Sequence, residues 1–450
     1  MSTHAGSDAD GDDTGKPAAI LPAPEPTRQP RFLRRFRTFE SIFAVPAFRW
    51  YLGSMAGNWS AMQMQMIARG FLTYQITGSY AALGTVELAN TFPRLIFALT
   101  GGVVADRSNR RVITQLGQAF SAVIAGTLAT LLFMDMLRFE HLVIAAVLQG
   151  ISNSFALPAR QAMIPQIVGM ERLTNALALN VSLMSTLRLG APALAGFLIA
   201  VAGASWVFTL MTVLYVVSTL TMFKVTLIPQ VGDNRHAATV APPKAVRGRA
   251  LTDIRDALVY LWKIPVLRML LIVDMFLGML TFPYQRLLPG FVSDVLADNP
   301  DETAIRMGIL LTITGIGALL GSLMVASLPS RHRGLMVIAS VALFGVALLG
   351  FSISTVFVVS AGIVFFMGIG QSVRQSLNSI LIQSETSNEF RGRISSIVLF
   401  EDGIESLGIF AIAILASIIG AQWALGLVAL SMITIAFAMW AAMPLYRRLQ

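Results

Sequence analysis

The sequence predicts an all-α membrane protein with twelve transmembrane helices arranged as two pseudo-symmetric six-helix bundles. Three observations carry this. Hydrophobic residues make up 55% of the 450 residues and charged ones only 13%, against about 25% charged in soluble domains, so too little polar side chain remains to cover a water-soluble core. Apolar stretches near the roughly 20 residues needed to cross a bilayer recur at about 50–74, 81–104, 112–134, 142–159, 177–201, 206–227, 266–288, 305–328, 335–354, 356–375, 394–419 and 423–443. The first six stretches are echoed by the last six. Arg160-Gln161 after the fourth returns as Arg374-Gln375 after the tenth, and Gly102 through Arg111 returns weakly as Gly321 through Arg333, with Ser327 or Leu328 where Asp106 stood.

Taken in order, residues 1–47 form a disordered tail ending in the basic, apolar-mixed Arg31-Phe32-Leu33-Arg34-Arg35-Phe36-Arg37, which marks orientation and can touch lipid headgroups. No hydrophobic segment near the start resembles a signal peptide. The first half covers 48–227 and the second 265–450. Between them, 228–264 opens with Pro229, Gly232, Pro242 and Pro243. Thr252 can then cap a short helix whose Ile254, Leu258 and Leu261 share one face, suited to the membrane surface. With both termini in the cytoplasm, most of the 33 lysines and arginines fall in cytoplasmic segments, and the outer loops hold only Arg138 and Arg306. That asymmetry orients the chain across a plasma (inner) membrane. It also assigns the +9 formal charge to the membrane, so no nucleic acid is expected as partner. There is no cysteine, and His4, His141, His236 and His332 fall in tails or loops, which excludes thiol chemistry and disfavours a buried imidazole relay.

One stretch stands apart: Gly101-Gly102-Val103-Val104-Ala105-Asp106-Arg107-Ser108-Asn109-Arg110-Arg111. Lying between the second and third spans, it reads as a short, tight, charged turn whose glycines let helices approach closely. It resembles the cytoplasmic loop signature between helices 2 and 3 of the major facilitator superfamily. Further resemblance comes from Thr77-Gly78-Ser79, Pro158-Ala159-Arg160-Gln161-Ala162-Met163-Ile164-Pro165, Arg391-Gly392-Arg393 and the small-residue run Arg188-Leu189-Gly190-Ala191-Pro192-Ala193-Leu194-Ala195-Gly196. Together these are similar to the enterobactin-exporter and drug-efflux branch. The resemblance implies two halves related by an axis along the membrane normal, and a secondary transporter working by alternating access. It further implies a proton-coupled exporter of small amphipathic molecules, siderophore or drug-like. A facilitator-type importer, or a membrane enzyme or scaffold that does not transport, are the alternatives. The resemblance assigns a gating role to Gly102, Asp106, Arg107, Arg110 and Arg111, with Asp106 docking on the start of the eleventh helix near Ile394.

Polar residues at helical spacing mark the cavity-lining candidates: Asn58, Gln65 and Arg69 in the first span, Gln149 and Asn153 in the fourth, Thr281 and Gln285 in the seventh, and Gln371 in the tenth. Arg69 and Glu87 lie at similar depth on either side of the Thr77-Gly78-Ser79 turn and are expected to pair, since a lone buried charge is costlier than a paired one. Asp274, Glu405 and Glu401 are candidates for proton coupling because desolvation and mutual repulsion raise a carboxylate's pKa; Arg188 is their candidate partner. No phosphate-binding loop, metal-ligand cluster or nucleophile–base set is visible. Neither enzyme chemistry nor a cofactor or metal is expected. The partners implied are a small-molecule substrate, protons and membrane lipids, and the chain is expected to act as a monomer.

Overall fold

The computed structural model describes residues 44–169, 171–226, 261–262, 264–327, 332–386, 391–443 and 446. Six long helices form the first half: α1 (Pro46–Thr77), α2 (Tyr80–Arg107), α3 (Arg110–Phe133), α4 (Phe139–Val168), α5 (Leu173–Ala202) and α6 (Ala204–Met222). The second half repeats them as α7 (Pro265–Thr281), α8 (Pro300–Ser327), α9 (Arg333–Ile353), α10 (Phe357–Glu385), α11 (Arg391–Ile419) and α12 (Ala421–Ala442). Helix α7 is prolonged past Phe282 by Pro283–Phe291 and a π-helical turn, Val292–Leu296; the change falls where Pro283 removes a backbone donor. Ile254 and Leu258 of the expected amphipathic linker, and the tail before residue 44, lie outside the described residues.

Among the described residues, nine helices are long and apolar enough to cross a membrane. Helices α1 and α2 are not among them, because their interiors carry Asn58, Gln65 and Arg69, and Glu87, Asn90 and Arg94. Nor is α11, whose apolar part is Gly403–Ile419.

The two halves repeat in backbone detail. A single glycine in a left-handed region joins α5 to α6 (Gly203, φ 89) and α11 to α12 (Gly420, φ 87); each reverses the chain within one residue, where a Cβ would be strained. Helices α2 and α4 touch backbone to backbone, since a carbon on Gly101 would fall 2.0 Å from the Ser154 carbonyl oxygen and one on Gly150 2.1 Å from that of Asn90. Helices α8 and α10 do the same at Gly317, 2.1 Å from Phe365 oxygen, and Gly368, 2.0 Å from Thr314 oxygen. In hydrocarbon there is no hydrophobic drive between helices, so such close packing supplies the association.

The charged stretch after the second span folds differently from its sequence reading. Helix α2 continues through Arg107, and the turn shrinks to Ser108 and Asn109. Asn109 caps α3, its side chain accepting from the Arg111 amide at 3.1 Å. Of the two glycines, Gly101 serves close packing against α4 rather than the turn, while Gly102 has open space around it. His141 belongs to the first turn of α4, where its Nδ1 accepts from the Arg138 amide at 3.1 Å.

Candidate substrate site between the two halves

Several polar residues of the spans are buried and bonded to neighbouring helices or to their own. The Ser54 hydroxyl donates to the Ser218 carbonyl at 2.8 Å and accepts from the Gln118 amide at 3.0 Å. Gln149, 5% exposed, donates to the Ser121 hydroxyl at 3.0 Å, with Asn153 at 3.5 Å as a weaker acceptor. Thr281 is fully buried and donates to the Leu277 carbonyl of its own helix at 2.6 Å. Asn58 and Gln65 are buried. Ser54, Gln118 and Gln149 act as interhelical glue.

A small cavity brings other candidates together. Its lining includes Arg69 and Thr73 from α1, Glu87 from α2, and Gln285 and Arg286 from the continuation of α7. Gln285 donates to the Gln371 side-chain oxygen of α10 at 3.2 Å and to the Tyr284 hydroxyl at 3.1 Å. Arg69 and Glu87 thus share a cavity, as their common depth suggested, but the ion pair lies elsewhere. Glu87 Oε1 sits 3.1 Å from Arg286 Nη2. The acid therefore ties the first half to the second instead of closing the α1–α2 hairpin. Arg69, 7% exposed, is left with its Nη1 buried and without a hydrogen-bond partner. The reason is geometric: the α7 continuation presents Arg286 directly to Glu87, and the hairpin alone could not reveal this.

In the second half, Asp274 Oδ1 accepts from Arg374 Nη1 at 2.6 Å, with Arg374 only 3% exposed. The sequence had singled out both residues without joining them. This pairing replaces Arg188 as the partner of Asp274. Arg188 is exposed and close enough to the Tyr284 hydroxyl to interact with it electrostatically across the halves. Glu405 is half-buried and engaged by a neighbouring group. The side chain of Glu401 lies outside the described residues.

Among the described residues, polar contacts join the two halves at the end of the molecule that carries the Gly78 turn. Tyr74 and Tyr80, flanking that turn, both donate to the Asp294 carboxylate at 2.6 to 2.7 Å. Their rings lie 5.0 Å apart, and a side chain on Gly290 would fall 2.4 Å from Tyr80. Deeper, the Ser406 hydroxyl donates to that of Thr91 at 2.8 Å. The small-residue run of α5 meets α8 at Gly196 and Gly308, where a Gly196 side chain would lie 2.8 Å from the Gly308 Cα. Sequence reading missed this clasp because tyrosines beside a turn also suit a membrane interface. At the opposite end, two arginines tie helices of the first half together. Arg110 donates to the Ala162 carbonyl at 3.1 Å and Arg111 to that of Phe223, while Arg107 is exposed and the Asp106 side chain lies outside the described residues.

Residues 40–447 match the transmembrane secretion effector family. The chain is 24% identical to the staphyloferrin A transporter of Staphylococcus aureus over 85% of its own length and 89% of the relative's. It is 25% identical to macrolide efflux protein A of Streptococcus pyogenes, covering 74% and 80% of the two chains. With the enterobactin exporter of Citrobacter koseri the identity is 24%, covering 81% and 82%. The fold is that of solved facilitators: a bacterial homologue of the lysosomal transporter Spinster superposes with a TM-score of 0.67 over 88% of this chain and 95% of that one, at 12% identity. A duplicated six-helix bundle with buried charge between its halves, matched over nearly its whole length, belongs to the transmembrane secretion effector family of the major facilitator superfamily, and the chain is accordingly a multi-pass membrane transporter of small molecules and not an enzyme.

Proposed function

We propose that this transporter exports small amphipathic molecules in exchange for protons by alternating access, with both termini in the cytoplasm of a cell bounded by its inner membrane. The observation that carries this reading is the set of contacts that joins the two halves at the Gly78 end. Glu87–Arg286, Thr91–Ser406 and the Tyr74–Tyr80–Asp294 clasp close the Gly78 end, and the basic loops mark the other end as cytoplasmic. The structure then corresponds to a state closed to the outside. Similarity to a macrolide efflux protein and an enterobactin exporter supports the outward direction. Asp274 and Glu405, with Glu401, remain the coupling candidates, and Glu87 joins them. An acid that exchanges an arginine partner for a proton as the halves separate couples the two events.

Uptake into inverted vesicles with an imposed pH gradient, over a panel of siderophores and antibiotics, tests this. Gradient-driven accumulation of at least one solute is expected. Glu87→Gln, Asp274→Asn, Glu405→Gln and Glu401→Gln separate coupling from binding: a coupling residue loses accumulation and keeps solute exchange. Accumulation only from the opposite face would make the protein an importer.

A further inference from the structure

Resting on the transport reading, we infer that the cargo carries a carboxylate and that Arg69 is the group that holds it, with Arg188 a second cation facing the same interface. Each described carboxylate between the halves or buried near them is already engaged. Glu87 is paired with Arg286 at 3.1 Å, Asp274 with Arg374 at 2.6 Å, Asp294 accepts from two tyrosines, and Glu405 is not free. The cations are not matched in the same way. Arg69 is 7% exposed, lines the cavity, and has its Nη1 sealed from water with no hydrogen-bond partner. Arg188 makes no ion pair among the described residues.

A cationic cargo would meet arginines and, among the described residues, carboxylates that are already engaged. An anionic one would meet two guanidiniums, Arg69 and Arg286, that share the single carboxylate of Glu87, and excess buried charge of one sign is costly until a counter-ion arrives. The nearby polar groups leave that role to Arg69. The Thr73 hydroxyl already donates to the Arg69 carbonyl at 2.7 Å, and the Gln285 amide is taken by Gln371 and Tyr284. The planar fork of a guanidinium fits the two oxygens of a carboxylate. The cavity, about 30 Å³, holds one or two waters. That matches an anionic head group rather than a whole molecule.

The test uses the purified full-length protein and measures its thermal unfolding with citrate, its uncharged trimethyl ester, chloride and tetraphenylphosphonium. Citrate should raise the midpoint saturably, and the ester should not. Arg69→Gln should weaken the citrate response at least tenfold, and Arg69→Lys less. Glu87→Gln, which removes a negative charge beside the site, should strengthen it several-fold, and this holds even should the Arg69 variants fail to fold. Wild-type protein indifferent to citrate, an Arg69→Gln response equal to wild type, or stabilisation by chloride or tetraphenylphosphonium in place of citrate overturns the assignment. The two readings fail separately. A lipophilic cation pumped by inverted vesicles without citrate binding would leave transport standing and remove the carboxylate site. Citrate bound through Arg69 with no solute moved would do the reverse.

Discussion

At the residue scale, the buried pair Asp274–Arg374 tests whether an intramembrane acid is structural or coupled. Removing one member of a buried pair leaves the other uncompensated, at about 3–5 kcal/mol, whereas replacing both is often close to neutral. Asp274→Asn should therefore lower the thermal midpoint strongly, and Asp274→Asn with Arg374→Gln should recover most of the loss. If the double variant also regains gradient-driven accumulation, Asp274 is a brace and not a proton carrier. The sequence could show that Arg69, Glu87, Asp274 and Arg374 each need a partner, because lone charges in a bilayer are expensive. It could not show which, since the pairings join segments far apart in the chain: Glu87 to Arg286, Asp274 to Arg374. Depth along a span is readable from residue counting; rotation about the helix axis and the neighbour it faces are set by packing.

At the element scale, the adjacent glycines of α2 separate a packing role from a loop role. A side chain on Gly101 would meet the Ser154 carbonyl at 2.0 Å, while one on Gly102 would meet nothing within 4 Å. Gly101→Val should force α2 from α4 and cost about 1–3 kcal/mol or more, seen as a lowered midpoint or lost expression. Gly102→Ala should leave stability unchanged or slightly raised, because alanine favours helix by up to about 1 kcal/mol over glycine. A Gly102→Ala variant that folds normally yet transports poorly would point to movement of this helix end. The spans themselves were legible because a bilayer imposes their length. Their ends were not: α2 runs on through Arg107 and α11 begins at Arg391 rather than near Ile394, since a helix need not stop where the hydrocarbon does. The N–H groups that a helix start leaves unpaired favour an anion. On the gate reading, Asp106→Asn should slow turnover at least tenfold while expression and midpoint stay near wild type; normal transport would remove that role.

At the scale of the whole molecule, the proposed alternating access requires that the Gly78 end can open, and on that reading the clasp on Asp294 sets how readily it does. Two tyrosine hydroxyls from the first half donate to one carboxylate of the second at 2.6 to 2.7 Å, and hydrogen bonds to charged groups contribute about 1.5–3 kcal/mol each. Tyr80→Phe keeps the ring packed against Tyr74 and removes one donor. It should shift the equilibrium toward the outward-open state by roughly ten- to a hundredfold, and Tyr74→Phe with Tyr80→Phe should shift it further, a free-energy difference acting directly on populations. The absence of cysteine makes this measurable. Met307, fully buried and lining the cavity, becomes a single reporter as Met307→Cys. Labelling by a membrane-impermeant maleimide from outside should be slow in that background and faster in the order Tyr80→Phe, then the double variant. Asp294→Asn should rank with the double variant, because it turns two charge-assisted bonds into neutral ones at once. Equal labelling rates in all four proteins would mean that the ends are held by helix packing at Gly196–Gly308 and Gly84–Ala413, with the tyrosines only lying against that seam.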